Sequence, residues 1–477
     1  MNKLITLCGA LLLAVSCCCE APKEQNNLPW ENGKLCVSEN GRFLQHENGA
    51  PFFWLGETGW LLPEKLTRED ALFYLDACKE AGYNVVQVQT VNGVPAKNIY
   101  GKLSHPAGYD FSVIEAEGED GYWQHMDYII RAAEERGIYI GMVCIWGNLV
   151  KRGLMNIEEA KAYGSFLAER YKENPNIIWF IGGDIKGEIE TEVWETLART
   201  IKGLDANHLM TFHPFGRTSS VRWFHNAEWL DFNMFQSGHR RYDQTRGDGD
   251  DTAQASVAED NWLYVEEGLA LTPQKPILDG EPSYEEIPQG LHDPAEPWWK
   301  SHDVRRYAYW SVFAGAFGHT YGHNSIMQMH EGNGKVGGYG ALKSWKEGLQ
   351  DPGFSQMQYL KKLMLRFPFF ERVGDQSVIA GENGFRYDRA IATRGEDYLL
   401  VYTYTNQPMQ IDLQKISGAK KQIWWLSPVD GTLTFAGEVE NGIHTFLGAG
   451  EQGPTNDRVL IAFDAEKNYI GNEEAAI

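Results

Sequence analysis

The chain has 477 residues, 43% of them hydrophobic and 23% charged, the proportions of a globular protein with one large and one small domain. They exclude a disordered, a collagen-like and a polytopic membrane chain. A formal net charge of −22 gives no general attraction for phosphate backbones and excludes nucleic acid as the expected partner.

At the N-terminus Met1-Asn2-Lys3 precedes an apolar run from Leu4 to Val15, then Ser16-Cys17. A basic start, a short apolar stretch and a small residue before the break make up a secretory signal. The run is shorter than the about 20 residues of a permanent membrane span. Ala14-Val15-Ser16-Cys17 resembles a bacterial lipoprotein box. Residues 1–16 are therefore expected to be a signal peptide, Cys17 the lipidated residue and 17–30 a tether. That makes the protein an exported outer-membrane lipoprotein, periplasmic or on the cell surface, touching the membrane only through its anchor. Cys36, Cys78 and Cys144 remain for the folded body. They are far apart and lack C-x-x-C spacing, so neither a zinc site nor a disulfide framework is expected.

From residue 31 to 367 strand and helix patterns alternate. Phe52 to Gly56 is an apolar strand leading into Glu57-Thr58-Gly59-Trp60. Thr67 is the N-cap of a helix with Glu69 and Asp70 in its first turn, ending near Gly82. Strands follow at Asn84–Val91, Ile138–Trp146, Ile177–Ile181, Leu209–Phe212, Trp229–Phe235, Pro276–Asp279 and His319–Gln328 with its loop. Helices at Trp123–Arg136, Ile157–Tyr171, Val193–Leu204, Trp262–Leu271 and Val304–Phe317 lie between them. Eight apolar strands interleaved with helices predict an α/β fold, a (β/α)8 TIM barrel. The rival, a doubly wound open sheet, usually shows a Gly-rich phosphate loop after its first strand, and none is present. Residues 368–477 change character. Short strands at Tyr398–Tyr404, Gln422–Leu426, Thr432–Phe435 and Arg458–Phe463, separated by turns such as Asp430-Gly431 and Asn441-Gly442, predict a small antiparallel β-sandwich.

Working residues of a TIM barrel sit at the C-terminal ends of its strands. Strand four ends in Gly182-Gly183-Asp184, and strand seven in Asp279-Gly280-Glu281. Acids on these two strands face each other across the mouth, which suits glycoside hydrolysis. One carboxyl protonates the leaving oxygen while the other attacks the anomeric carbon or activates water. Gly182 and Gly183 would leave room for a substrate. Glu188 is read as a solvated residue at the next helix start, and Asp279 as a buried group that orients the site. Glu57 could contact substrate or cap a helix. Trp60, Gln89, Trp146, His213, Gln236, His239, His319, Tyr321 and His323 are further strand-end candidates for sugar binding, because they supply hydroxyl partners and flat stacking faces. His319 and His323 have helical metal spacing but fall at a strand end without H-E-x-x-H, so no metal and no cofactor is expected.

Phe53-Trp54-Leu55-Gly56-Glu57-Thr58, Ile178-Trp179-Phe180-Ile181-Gly182-Gly183-Asp184, Leu278-Asp279-Gly280-Glu281-Pro282 and Gly318-His319-Thr320-Tyr321-Gly322 resemble the apiosidase-like glycoside hydrolases, family 140. The resemblance covers almost the whole chain after the signal. It implies a TIM barrel followed by a β-sandwich that relatives carry under a collagen-binding label. It implies removal of apiose from rhamnogalacturonan-II, a branched pectin, by gut bacteria of the Bacteroides type. It also implies Asp184 as acid/base and Glu281 as nucleophile. The wider glycosidase clan carries Asn-Glu at the end of strand four, where this chain has Gly183-Asp184, so nothing is carried over from that clan.

The leading expectation is a retaining exo-glycosidase with carboxyls about 5 to 5.5 Å apart. An apolar wall, from Trp179 or a nearby Trp, together with negative Glu281 would raise the pKa of Asp184. The alternatives are a non-catalytic glycan-binding surface lipoprotein on the same barrel and a chelator-sensitive metal-dependent hydrolase. Pectin is acidic and so is this chain, so Lys186, Arg217, Arg240 and Arg241 are expected near the mouth to offset the field.

Overall fold

The computed structural model describes residues 28–106, 110–113, 118–244, 259–471 and 475–477. The expected signal peptide, most of the tether and Cys17 lie outside them.

Eight parallel strands form the barrel. They are β1 (Trp54–Thr58), β2 (Val85–Gln89), β3 (Tyr139–Val143), β4 (Ile177–Ile185), β5 (Met210–Pro214), β6 (Asn233–Gln236), β7 (Ile277–Asp279) and β8 (Gly318–Tyr321). The hydrogen-bonded order runs β5-β4-β3-β2-β1-β8-β7-β6, so the last strand pairs with the first. No ladder joins β5 to β6 among the described residues. That seam is held by Asp231 N–H donating to the Met210 carbonyl at 2.9 Å and Thr211 Oγ1 to the Phe232 carbonyl at 2.8 Å. The helices that flank the strands are α1 (Arg68–Glu80), α2 (Tyr122–Glu134), α3 (Ile157–Tyr171), α4 (Thr191–Leu204), the single turn α5 (Val221–Phe224), α6 (Trp262–Leu269), α7 (Ser301–Ala314) and α8 (Pro352–Arg366), and further short helices (Leu62–Lys65, Gly147–Lys151, Asn324–Met327 and Trp345–Gly348) lie in the connections. Thr67 caps α1, its side chain accepting from Asp70 N–H at 3.1 Å. Asn156 and Glu159 close a capping box on α3.

Side-chain alternation along the strands sets the interior. Trp54 points inward and meets Phe180 and Phe232 from other sides of the barrel and Phe317 from just before neighbouring β8. Its Nε1 donates to Thr320 Oγ1 at 3.1 Å, which also receives Gln87 Nε2 at 2.9 Å. This aromatic plug, topped by one polar layer, is the floor beneath the mouth. The opposite end is closed by a three-stranded sheet (Leu35–Val37, Leu44–His46, Pro51–Phe52). Cys78 and Cys144 are buried free thiols, while Cys36 is half-buried on this sheet.

The C-terminal strands are β9 (Val373–Gly374), β10 (Ala390–Arg394), β11 (Tyr398–Thr403), β12 (Met409–Asp412), β13 (Lys420–Leu426), β14 (Leu433–Glu440), β15 (Ile443–Phe446) and β16 (Arg458–Asp464). Six form an antiparallel sheet in the order β9-β10-β11-β16-β13-β14, and β12 pairs with β15. Leu399 and Val401 point into the sandwich core, whereas Tyr398, Leu400 and Tyr402 join the barrel's core. Strand β11 is therefore buried on both faces. Helix α7 lies between the two bodies and is buried from Asp303 to Ala314. Two buried charged pairs anchor this helix, one to the C-terminal domain and one within the barrel. Arg305 holds Asp457 with two bonds of 2.9 and 2.7 Å, and fully buried Arg306 meets fully buried Glu259 at 2.7 Å. Such pairs contribute fixed geometry more than net stability.

Candidate active site

All eight strand ends contribute to one cavity of about 490 Å³. Trp60, Gln89 and Trp146 enter from β1, β2 and β3; Asp184 comes from β4, Arg217 follows β5, and Gln236 and His239 come from the end of β6. Glu281 follows β7, and Gln328 and Tyr339 follow β8.

Strand β4 does not stop at Ile181 but runs to Ile185 through a break in register between Gly182 and Ile185. Gly182, Gly183 and Asp184 take φ values of 87, 120 and 52°, a left-handed stretch that favours glycine. A Cβ on Gly183 would meet the Trp146 ring at 2.8 Å, and one on Gly182 the His213 carbonyl at 2.7 Å. The space the glycines leave is thus taken by the protein rather than by substrate. The kink aims the Asp184 carboxyl into the cavity.

Glu281 is buried, 7% exposed, and two imidazoles close on it. His239 Nε2 is hydrogen-bonded to Oε1 at 3.1 Å, and His213 Nε2 stands 3.2 Å from Oε2. His213 Nδ1 accepts the backbone N–H of Asp184 at 3.2 Å, which leaves the ring proton on the nitrogen that faces Glu281. Asp279 lies behind. It accepts from Ser237 Oγ at 2.7 Å and Asn261 Nδ2 at 3.0 Å, and so fixes the loop that carries His239. Trp60 Nε1 donates to the Tyr284 hydroxyl at 3.1 Å, and the Tyr284 ring packs edge-on against His239.

These surroundings split the two acids. Burial pushes the Asp184 carboxyl up to about 6, with the charge of Glu281 adding and the two histidines opposing. Burial would also raise Glu281, but the imidazoles of His213 and His239 closing on its two oxygens hold it down to about 2. Between these values one acid keeps its proton while the other is ionised, the division of labour glycoside hydrolysis needs. The wall beside Asp184 is Trp146, not Trp179, whose Nε1 donates to Asp205 at 2.7 Å on the outer side of β4.

Several strand-end candidates do not reach the mouth, and strand parity is the reason. Trp54 and Thr320 face inward, so Glu57 on β1 and His319 and Tyr321 on β8 face the helices. Glu57 is fully buried with neither carboxyl oxygen bonded, and burial raises its pKa well above the usual range. His319 is buried with both ring nitrogens unpartnered. Tyr321 donates to Glu285 at 2.7 Å. His323 binds Asp351 at 2.8 Å and accepts Ser325 N–H at the start of a short helix. Glu188 is exposed. Of the four basic residues, Arg217 and Arg240 line the cavity, Lys186 does not, and Arg241 is tied to Asp243, Gln289 and Glu296. Asn92, Tyr284, His292, Gln328 and Tyr339 also line it. They lie in loops beyond the strand ends, where no periodicity marks a face.

A barrel mouth with two differentiated carboxylates defines a glycoside hydrolase. The family model "Apiosidase-like, catalytic domain" matches residues 38–371, and "Putative collagen-binding domain of a collagenase" matches 373–462. The chain belongs to the apiosidase-like glycoside hydrolases. It is similar to a crystal structure of a glycoside hydrolase family 5 protein from Bacteroides vulgatus ATCC 8482, at 61% identity and TM-score 0.92, covering 94% of this chain and 98% of that one. It is also similar to a solved glycoside hydrolase at 64% identity and TM-score 0.91, covering 93% of this chain and all of the other. A glycoside hydrolase structure from Bacteroides vulgatus at 14% identity and TM-score 0.60 shares the fold. No curated protein matches.

Proposed function

We propose that this glycoside hydrolase is an exo-acting, retaining apiosidase that removes a terminal apiose from the pectin rhamnogalacturonan-II. The observation that carries the reading is the placement of two carboxyls in one cavity, Asp184 aimed in by the kink of β4 and Glu281 enclosed by His213 and His239, surroundings that push the first up to about 6 and hold the second down to about 2. Protonated Asp184 donates to the leaving oxygen as the glycosidic C–O bond breaks, and the Glu281 carboxylate bonds to the anomeric carbon. Water then attacks that carbon and loses a proton to Asp184. The sugar leaves, and Glu281 is an anion again. His213 and His239 keep Glu281 ionised before attack and stabilise the carboxylate again when the glycosyl bond is hydrolysed. Trp60 and Trp146 supply apolar faces for a small sugar ring. Family membership supports the sugar, and Arg217 and Arg240 at the wall suit an acidic polymer.

In this reading the chain is exported and held at the outer membrane through Cys17. Incubating the protein with rhamnogalacturonan-II and identifying the released monosaccharide tests the activity. Free apiose is the expected product, and release of another sugar or of none contradicts it.

A further inference from the structure

The cavity has a depth and a rim. Glu281 and Trp60, 7% and 4% exposed, lie deep. Tyr339 is 42% exposed yet lines the same cavity. Burial and the charges of Asp184 and Glu281 raise its phenol pKa. It stands alone between glycines, in Gly337-Gly338-Tyr339-Gly340, and holds φ at 53°, a left-handed conformation that bulky residues seldom adopt. Strain of this kind persists only where surrounding contacts over-determine it.

Those contacts are present. Gln328 Nε2 donates to the Asn324 carbonyl, to Asn324 Oδ1 and to the Gly338 carbonyl, each at 2.9 Å, while its Oε1 accepts Gly338 N–H at 2.7 Å. Asn324 Nδ2 donates to the Tyr339 carbonyl at 3.0 Å. Gly340 runs so close to Trp298 that a Cβ there would meet the indole at 3.2 Å. Across the rim the His292 ring lies 6.0 Å from the Tyr339 ring, tilted by 38°. It follows Leu291, a second bulky residue held at positive φ, 79°. Two strained turns thus present two flat rings side by side at the opening.

We infer that Tyr339, with His292, forms the binding platform for the sugar ring on the leaving-group side of the scissile bond. The inference rests on the exo-glycosidase reading. If the bond is cut in the depth between Asp184 and Glu281, the sugar departing towards solvent must cross the rim. A half-exposed phenol ring on a backbone pinned by these bonds suits the C–H face of a pyranose, and its hydroxyl can bond a ring substituent. Tyr339 therefore selects what the terminal sugar is attached to, while the deep pocket selects the terminal sugar itself.

The test uses Tyr339→Gly, since glycine accepts the backbone conformation and only the ring is lost. Tyr339→Phe serves as the conservative variant. The kcat/KM ratio between an apiosyl pectic oligosaccharide and methyl apioside is the first readout. It is expected to fall about tenfold in Tyr339→Gly, mainly through KM, the loss of one aromatic anchor, and to be largely restored in Tyr339→Phe. An unchanged ratio overturns the inference, whether both substrates lose equally or neither does. The second readout is calorimetric binding of the oligosaccharide to Glu281→Gln and to Glu281→Gln/Tyr339→Gly. Ring-dependent binding without turnover by the wild type would count against the proposed reaction and still support the platform. Equal binding by both variants overturns the platform.

Discussion

Replacing His239 with Phe removes one of the two imidazoles that hold Glu281 ionised. Phe keeps a ring against Tyr284, which packs edge-on at 4.7 Å, so the lost feature is the 3.1 Å bond to Oε1. A hydrogen bond to a charged group contributes about 1.5–3 kcal/mol, and one pKa unit corresponds to about 1.36 kcal/mol. Glu281 should therefore rise from about 2 by about one to two units. The sign follows from its role. In the proposed mechanism Glu281 attacks only when ionised, so a higher pKa moves the acid limb of activity upward. Asp184 donates only while protonated, so activity falls as pH rises through about 6. The assay is kcat/KM from pH 3 to 8. The wild type should hold its activity down to the acid end and decline above about pH 6. The variant should show a new acid limb near pH 3–4. A uniform loss at every pH, with no new limb, would refute the role given to His239.

Three further substitutions test other parts of the account. Gly183→Ala places a methyl 2.8 Å from the Trp146 ring at φ 120°; kcat/KM should fall about a hundredfold with the far-ultraviolet dichroism unchanged, and near-normal activity would contradict the fitted kink. Glu57→Gln should leave kcat/KM as it is, because Glu57 faces the helices. Its unbonded, burial-raised carboxyl makes a neutral amide no costlier, so the melting temperature should not fall. A selective loss of activity would return Glu57 to the mouth. Arg306→Met strands the Glu259 carboxylate in the interior and should cost about 3–5 kcal/mol in denaturant unfolding. Adding Glu259→Gln should recover part of that loss, and an additive loss would show that the two do not act as a pair.

The barrel was legible because its helices are long enough to show a period and because they alternate with apolar strands, some only three or four residues long. Helix α3 lies over the span its sequence predicts, and Thr67 caps α1. The elements that escaped are short or half-patterned. The N-terminal sheet has strands of three, three and two residues, and β9, β12 and β15 are similarly brief. Helix α8 begins at Pro352 in a stretch with no strand immediately before it to announce it. At the site, sequence could name strand ends but not the face each residue takes. Parity fixed by Trp54 and Thr320 sends Glu57, His319 and Tyr321 outward, while Trp60, Gln89, Trp146 and Gln236 turn into the cavity. His213 and His239, read as sugar ligands, also contact Glu281. That role depends on a left-handed kink at Asp184, which the Gly182-Gly183 pair marks without showing where it points, and on the loop that Asp279, expected as an orienting group, pins through Ser237 and Asn261, partners distant in the sequence.

The assignment of Glu281 as nucleophile and Asp184 as acid is tested most directly by trapping the intermediate. A 2-fluoro apioside with an activated leaving group should leave a glycosyl adduct on the wild-type protein, and peptide mass spectrometry should place it on Glu281. It should also appear in Asp184→Asn, because the activated leaving group needs no acid. No adduct, or one on any other residue, would contradict the mechanism derived from these two carboxylates.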